Sequence, residues 1–292
     1  MKRQFFGLMI ITMITVATFT ACTVTGTLNE DTILPPDPTI PQMTFVSNKS
    51  DVLTFELGGS GTITINWGDG TPIEMFTILN NTNYTHRYSD TNPHTITITG
   101  ENIIRMNFPD TKVSSMDISE NVALTYLNCS NNQLKTLDVS KNIALTELYC
   151  SYNQLMDLNV KSNTALVRLD CSANQLTELD VSKNNALNIL VCNNNELVDF
   201  LNTESNAQLF FLNCGKNRLE KLSMSHNLAL AVLNCENNLM DAESLSEMLL
   251  TLHSNDIDIP GIDKVVNIKK NIGTETCENK DVARSNGWDV ID

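Results

Sequence analysis

The sequence predicts a mainly β chain with short helices: a solenoid of short repeats that lay down a parallel concave sheet, preceded by a small antiparallel β-sandwich. Two observations carry this. From Ile103 to Met240 the apolar residues recur with a period of 21, lengthened once to 22, and between Met43 and Gly100 they alternate with a period of two. Composition supplies the bounds. With 292 residues, 41% apolar and 18% charged, the chain can bury one large core or two ordinary ones. Nineteen Lys and Arg against 34 Asp and Glu leave a net charge of -15, which repels a nucleic-acid backbone. Twelve glycines include no phosphate-binding string, and His86, His94, His226 and His253 lack metal-ligand spacing, so no cofactor is expected.

Residues 1–21 carry two early cations, an apolar run and small residues ahead of Cys22, the layout of an export signal. The run from Phe5 to Ala21 is broken by threonines and short for a permanent membrane span. Phe19-Thr20-Ala21-Cys22 resembles a bacterial lipobox, which implies cleavage before Cys22 and acylation of its thiol. The membrane would then be met through the lipid anchor alone, since the remaining surface is acidic. Thr23 does not suggest inner-membrane retention, so the expected location is the outer membrane and cell surface. Residues 22–42 hold Pro35, Pro36, Pro38 and Pro41 in a polar stretch that reads as an extended tether.

Residues 43–100 show alternating runs at 52–57, 62–67 and 94–99, separated by Gly, Asn and Asp turns, as expected of a small antiparallel β-sandwich. Trp67-Gly68-Asp69-Gly70-Thr71, together with His86-Arg87-Tyr88, resembles the polycystic-kidney-disease-type (PKD) immunoglobulin-like module. Asp69 is read as an Asx turn shaping a hairpin in preference to a cation ligand or catalytic acid, and His86 and Tyr88 as packing residues.

Residues 101–240 hold the repeats. Leu127, Leu148, Leu169, Leu190, Leu212 and Leu233 form one column, and two residues on stand Cys129, Cys150, Cys171, Cys192, Cys214 and Cys235. Three residues further come Asn132, Asn153, Asn174, Asn195, Asn217 and Asn238. The string L-x-x-L-x-C-x-x-N-x-L is that of a leucine-rich repeat, with a degenerate first copy at Ile103, Met106, Phe108, Thr111 and Val113. Each L-x-C is expected to make a short inward-packed strand, with the asparagines bonding the backbones of adjacent coils. A second column, Asn121, Asn142, Asn163, Asn184, Asn206 and Asn227, marks a return too short for a long helix. Residues 241–292 read as two longer closing units that contain a helix over 242–252.

The whole of 103–292 resembles internalin-like leucine-rich-repeat lipoproteins of the bacterial cell envelope. That resemblance implies recognition at a surface and supplies no catalytic residues. Stacked in register, the six column thiols are expected to stay free, since parallel neighbours lie further apart than a disulfide prefers. Asp117, Asp138 and Asp180 read as a solvated acidic edge rather than a calcium site.

Strand parity points the remaining positions to the concave side. The residues before the strand leucines are Arg105, Tyr126, Glu147, Arg168, Ile189, Phe211, Val232 and Val265, and those after include Tyr149 and Val191. Ile189, Val191, Phe211 and Val232 are expected to form an exposed apolar patch, with Arg105, Tyr126, Tyr149 and Arg168 beside it as interface-type residues. The alternative is that the β-sandwich or a cap covers the patch. The expected function is non-catalytic recognition of a protein partner or host surface. A glycan-capturing lipoprotein of a nutrient-uptake system is the alternative, with Tyr126, Tyr149 and Phe211 as stacking platforms.

The anchor is tested by Cys22→Ser, which should abolish fatty-acid incorporation and leave unprocessed or soluble protein. Radiolabelled fatty acid entering the mutant would refute it.

Overall fold

A computed structural model describes residues 40–254 and 263–292. The expected signal segment, Cys22 and the tether up to residue 39 lie outside the described residues.

Period-two alternation builds the first strands. β1 (Gln42–Ser47) turns Met43 and Phe45 inward. The runs expected as separate strands at 52–57 and 62–67 form one strand of 16 residues, β2 (Asp51–Asn66). The intervening glycines extend the chain instead of turning it: Gly59 holds φ 151 and passes so close to the Asn102 carbonyl that a Cβ would collide with it. β3 (Glu74–Leu79) pairs antiparallel with the second half of β2, and β4 (Thr82–Tyr88) with the first half. β5 (His94–Gly100) lies between β2 and β1.

The first repeat is shared between these strands and the solenoid. Its β6 (Ile103–Asn107) is antiparallel to β2 on one side and parallel to the first regular coil on the other, while β7 (Val113–Asp117) returns to pair with β1. Phe108 takes the place that cysteine holds in later coils and packs 4.7 Å from Phe45 and 4.8 Å from Phe55 between ring centroids. One core therefore runs from the β-rich segment into the repeats.

The regular coils contribute three-residue strands: β8 (Tyr126–Asn128), β9 (Glu147–Tyr149), β10 (Arg168–Asp170) and β11 (Ile189–Val191). β12 (Val198–Phe200) departs from this pattern, as does its parallel partner β14 (Arg218–Lys221), whereas β13 (Phe211–Asn213) and β15 (Val232–Asn234) keep to it. The central residue of each regular strand is fully buried, and so is the cysteine that follows it. All the regular strands pair in parallel without a register shift. Burial pushes the Cys129 and Cys214 thiols up to about 12, so they remain protonated and behave as small apolar side chains. The six column cysteines and Cys277 are free, as expected.

Both asparagine columns are buried. In the first, Asn174 Nδ2 donates to the carbonyls of Cys150 (3.0 Å) and Cys171 (3.1 Å), while its Oδ1 accepts from Leu155 N–H (3.0 Å). Each ladder asparagine follows a residue in the left-handed region, such as Asn131 (φ 56), Tyr152 (φ 54) and Ala173 (φ 52). The return segments are successive tight turns, with Asn142 N–H on Val139 O and Leu145 N–H on Asn142 O, both at 3.0 Å.

Past Met240, α1 (Ala242–Leu250) is capped by Asp241, whose carboxylate accepts from Ser244 N–H at 2.8 Å. The helix stops two residues before the expected end because the Thr251 hydroxyl turns back onto Met248 O (2.6 Å). β16 (Lys264–Asn267) and β17 (Trp288–Ile291) continue the parallel sheet, with the short helix α2 (Lys280–Ser285), which the apolar periodicity does not reveal, between them.

The second asparagine column contains a polar defect. Asn142, Asn163, Asn184 and Asn206 leave Oδ1 buried with no hydrogen-bond partner among the described residues, whereas Asn227 Oδ1 accepts from the Thr203 hydroxyl at 3.0 Å. Thr203 stands where other coils carry Val139, Val160 and Val181. Val160→Thr should therefore place a donor on Asn184 Oδ1 and hold or raise stability, while Thr203→Val should cost about 1–3 kcal/mol by orphaning Asn227. Urea unfolding checks both, and a loss above about 1 kcal/mol for Val160→Thr would contradict the geometry.

Candidate functional site

The concave sheet divides into two halves. At its start, Arg105 Nε donates to Glu56 Oε1 on β2 (2.8 Å), and the guanidinium carbon lies 3.4 Å from the Tyr126 ring centroid. The Tyr126 and Tyr149 rings stand 5.5 Å apart. Tyr149 O–H donates to Glu147 Oε2 (2.7 Å) and accepts from Arg168 Nη1 (3.2 Å). Burial raises the Tyr149 phenol above its ordinary range, helped by the Glu147 carboxylate. Five side chains from four neighbouring strands and Glu56 thus fix one another's rotamers, and this network arrives at a partner already ordered.

From β11 onward the same positions turn apolar. Ile189, Phe211, Val232 and Val265 lie in register on successive strands, and Val191 sits beside them between Asp170 and Asn213. These residues are half-buried, where strand parity alone leads one to expect an exposed patch. The reason is strand spacing: neighbours about 4.8 Å apart shield one another's flanks. β2, the nearest strand of the N-terminal segment, lies five positions from β11 in the sheet, about 24 Å away at that spacing.

Several polar residues of this face have local work. Oδ1 of Asn128, Asp170, Asn213 and Asn234 accepts from the N–H two residues on, at 3.0 to 3.2 Å, which turns the chain out of the strand. Asp117, Asp138 and Asp180 do the same on the return side, so this acidic edge is a row of Asx turns. Among the described residues no group of three or more His, Cys, Asp or Glu side chains could hold a metal ion, and no helix is long and apolar enough to cross a membrane.

The turn after β2 is an ordered polar cluster. Asp69 Oδ1 accepts from the Thr71 N–H (3.0 Å) and hydroxyl (2.6 Å), and Oδ2 meets His86 Nε2 at 2.7 Å. His86 stacks on Trp67 at 4.7 Å, and Tyr88 O–H donates to Trp67 O at 2.8 Å. The Asx turn is there, and so is an Asp69–His86 hydrogen bond that the sequence does not announce.

The sequence shows that one coil is lengthened but not where its extra residue goes. Leu176 and Leu179 are three apart, but Leu197 and Leu201 are four apart, so the added residue falls in β12 and leaves Val198 44% and Phe200 43% exposed. The single step of 22 in the repeat marks the coil, and the four-residue spacing of Leu197 and Leu201 marks the turn within it.

No protein-family model matches the chain, and no curated protein matches it. Solved structures similar to it are leucine-rich-repeat proteins. The functional domain of InlJ from Listeria monocytogenes, described as including a cysteine ladder, is 35% identical over 56% of this chain and 33% of its own, with a TM-score of 0.48. The leucine-rich-repeat protein LIC12759 of Leptospira interrogans is 20% identical over 59% of this chain and 44% of its own, at 0.49. The internalin inlF of Listeria monocytogenes is 23% identical over 60% and 55%, at 0.43. The chain thus spans between a third and just over half the length of these proteins, and its solenoid architecture rests on its own columns.

Burial opposes ionisation of Asp69, but the Thr71 and His86 hydrogen bonds outweigh it and hold the carboxyl at about 2. A carboxylate depressed from about 3.9 adds stability that is complete above pH 4 and lost as the pH falls towards 2. The melting-temperature difference between the wild type and Asp69→Asn should therefore shrink over that window. A difference that is constant from pH 6 to pH 2 would refute it.

Proposed function

We propose that the chain is a lipid-anchored, non-catalytic binding protein of the bacterial cell envelope, exposed at the outer membrane, that recognises a protein partner through its concave sheet. Solenoids use such surfaces because a curved row of strands offers many side chains on one rigid frame. The observation that carries this reading is the division of the face into an interlocked Arg–Tyr–Glu network and an apolar strip in strict register. Aromatic and Arg residues beside an apolar core are the composition of an interface hot region.

Protein is favoured over glycan by one contact. The Arg105 guanidinium already covers a face of the Tyr126 ring, which a sugar ring would need for stacking. The anchor rests on the lipobox at Cys22, and the tether of 22–42 would hold the recognition surface away from the lipid. Residues 43–100, read as a PKD-like β-sandwich, abut the first coil and act in this proposal as its N-terminal cap, closing a core that would otherwise be open.

The partner is sought by proximity labelling on intact cells and then measured against point variants. Phe211→Ala should weaken binding by about 1–3 kcal/mol while costing only about 1 kcal/mol of stability, since the ring is half-buried. Leu190→Ala, in the core, should cost about 2–5 kcal/mol of stability. Asp138→Asn, on the return side, should leave binding unchanged. Binding that survives Phe211→Ala intact would move the recognition face elsewhere.

A further inference from the structure

The place where the coil period breaks forms a second surface, away from the concave sheet. A groove of about 720 Å³ runs across the return side of three consecutive coils. Its acidic wall comes from three coils: Asp157, Glu178 and Asp199 stand at successive steps of 21 residues, with Thr136 one step before them, and across the lengthened turn the register shifts so that Phe200, not Asp199, pairs with Lys221. At one coil per about 4.8 Å, the three carboxylates are spread along about 10 Å.

The groove also contains one cation, Lys161, which is committed to Asp180 Oδ2 at 3.0 Å. Among the described residues Asp157, Glu178 and Asp199 form no salt bridge, and with Asp180 they set four carboxylates against the one lysine, so the groove keeps net negative charge. Its apolar element is the inserted turn. The extra residue forces Asp199 into the left-handed region (φ 57) and shifts the register between Asp199 and Phe200, so Val198 and Phe200 have no inward position to fill. Both remain exposed at the groove.

We propose that this groove is a docking site for a cationic polypeptide segment that carries an apolar side chain. Charge complementarity selects the occupant. Carboxylates in a row do not converge on one ion, whereas Lys or Arg side chains spaced along an extended peptide meet them one at a time. A polyamine would match the charges but leave Val198 and Phe200 uncovered. A segment with an aromatic or aliphatic residue among its cations covers them, which removes exposed apolar surface from water. The site is independent of the concave face and stands or falls separately from it.

The test uses the full chain and two fluorescein-labelled peptides of equal charge, Lys-Leu-Lys-Phe-Lys and Lys-Ser-Lys-Ser-Lys, followed by fluorescence anisotropy at physiological salt. The apolar peptide should bind at least about tenfold more tightly than the serine peptide, the scale of one good interface contact. Glu178→Lys and Phe200→Ser should each weaken it by a similar factor, and Phe211→Ala should not. Both substitutions are at surface positions, and circular dichroism confirms folding. Deleting Asp199 restores the 21-residue period and should also remove binding; if that deletion unfolds the chain, Phe200→Ser decides. Equal binding of the two peptides, no binding of either, or an unchanged affinity in Phe200→Ser would overturn the proposal.

Discussion

The structure depends on the first asparagine column. A 21-residue coil buries its turn against the next coil, and the backbone groups there lose water on both sides. One amide side chain per coil answers that loss. Asn153 Nδ2 donates to the carbonyls of Cys129 and Cys150, while its Oδ1 accepts the Leu134 N–H, so three backbone groups from two coils share one side chain. Aspartate has no donor for the two carbonyls, leucine has neither donor nor acceptor, and only a residue with both can close the set. The strict recurrence of this position follows, and with it the register of everything else.

Once the amides fix the register, the strands need only three residues. Their central leucines and the cysteines behind them fill the core in identical layers, which favours small protonated thiols over larger or charged side chains. The flanking strand positions are then free to vary because neither the ladder nor the core needs them. That freedom accounts for the change from Arg105, Tyr126 and Tyr149 at one end of the sheet to Ile189, Phe211 and Val232 at the other. It also explains how coil 187–208 absorbs an extra residue: Val198–Phe200 bulges outward while Asn195 and Asn206 keep their ladder bonds.

Much of this was legible in the sequence because the solenoid writes one structural equation many times. The Leu, Cys and both Asn columns, the parallel register and the free thiols all followed from the period. What stayed hidden lacks repetition. The continuous β2 depends on Gly59 meeting the Asn102 carbonyl, a tertiary contact with no local signature, and α2 is too short for periodicity to register. For the concave apolar residues, strand parity gives a direction but does not count the shielding by neighbouring strands that leaves them half-buried. Asn128, Asp170 and Asn213 stand on the concave strands, but the bonds from their Oδ1 atoms to the backbone, which the repeat pattern does not reveal, commit them to turns. Lengthening by one residue was visible, but its outcome, an exposed Phe200 above a row of carboxylates, needed coordinates.

The ladder and the two outer surfaces make a single argument: an invariant hydrogen-bonded frame on which variable side chains are displayed. The frame is therefore the claim to test first, and Asn174→Ala tests it most directly. The substitution orphans the buried Leu155 N–H, at about 1–3 kcal/mol, and removes one of the two amide donors on each of the Cys150 and Cys171 carbonyls, which keep Asn153 and Asn195, at about 0.5–1.5 kcal/mol per lost bond, so urea unfolding should show a loss of at least about 2 kcal/mol. A loss below about 1 kcal/mol, the range of an ordinary surface substitution, would contradict the view that the amide column holds the coils together.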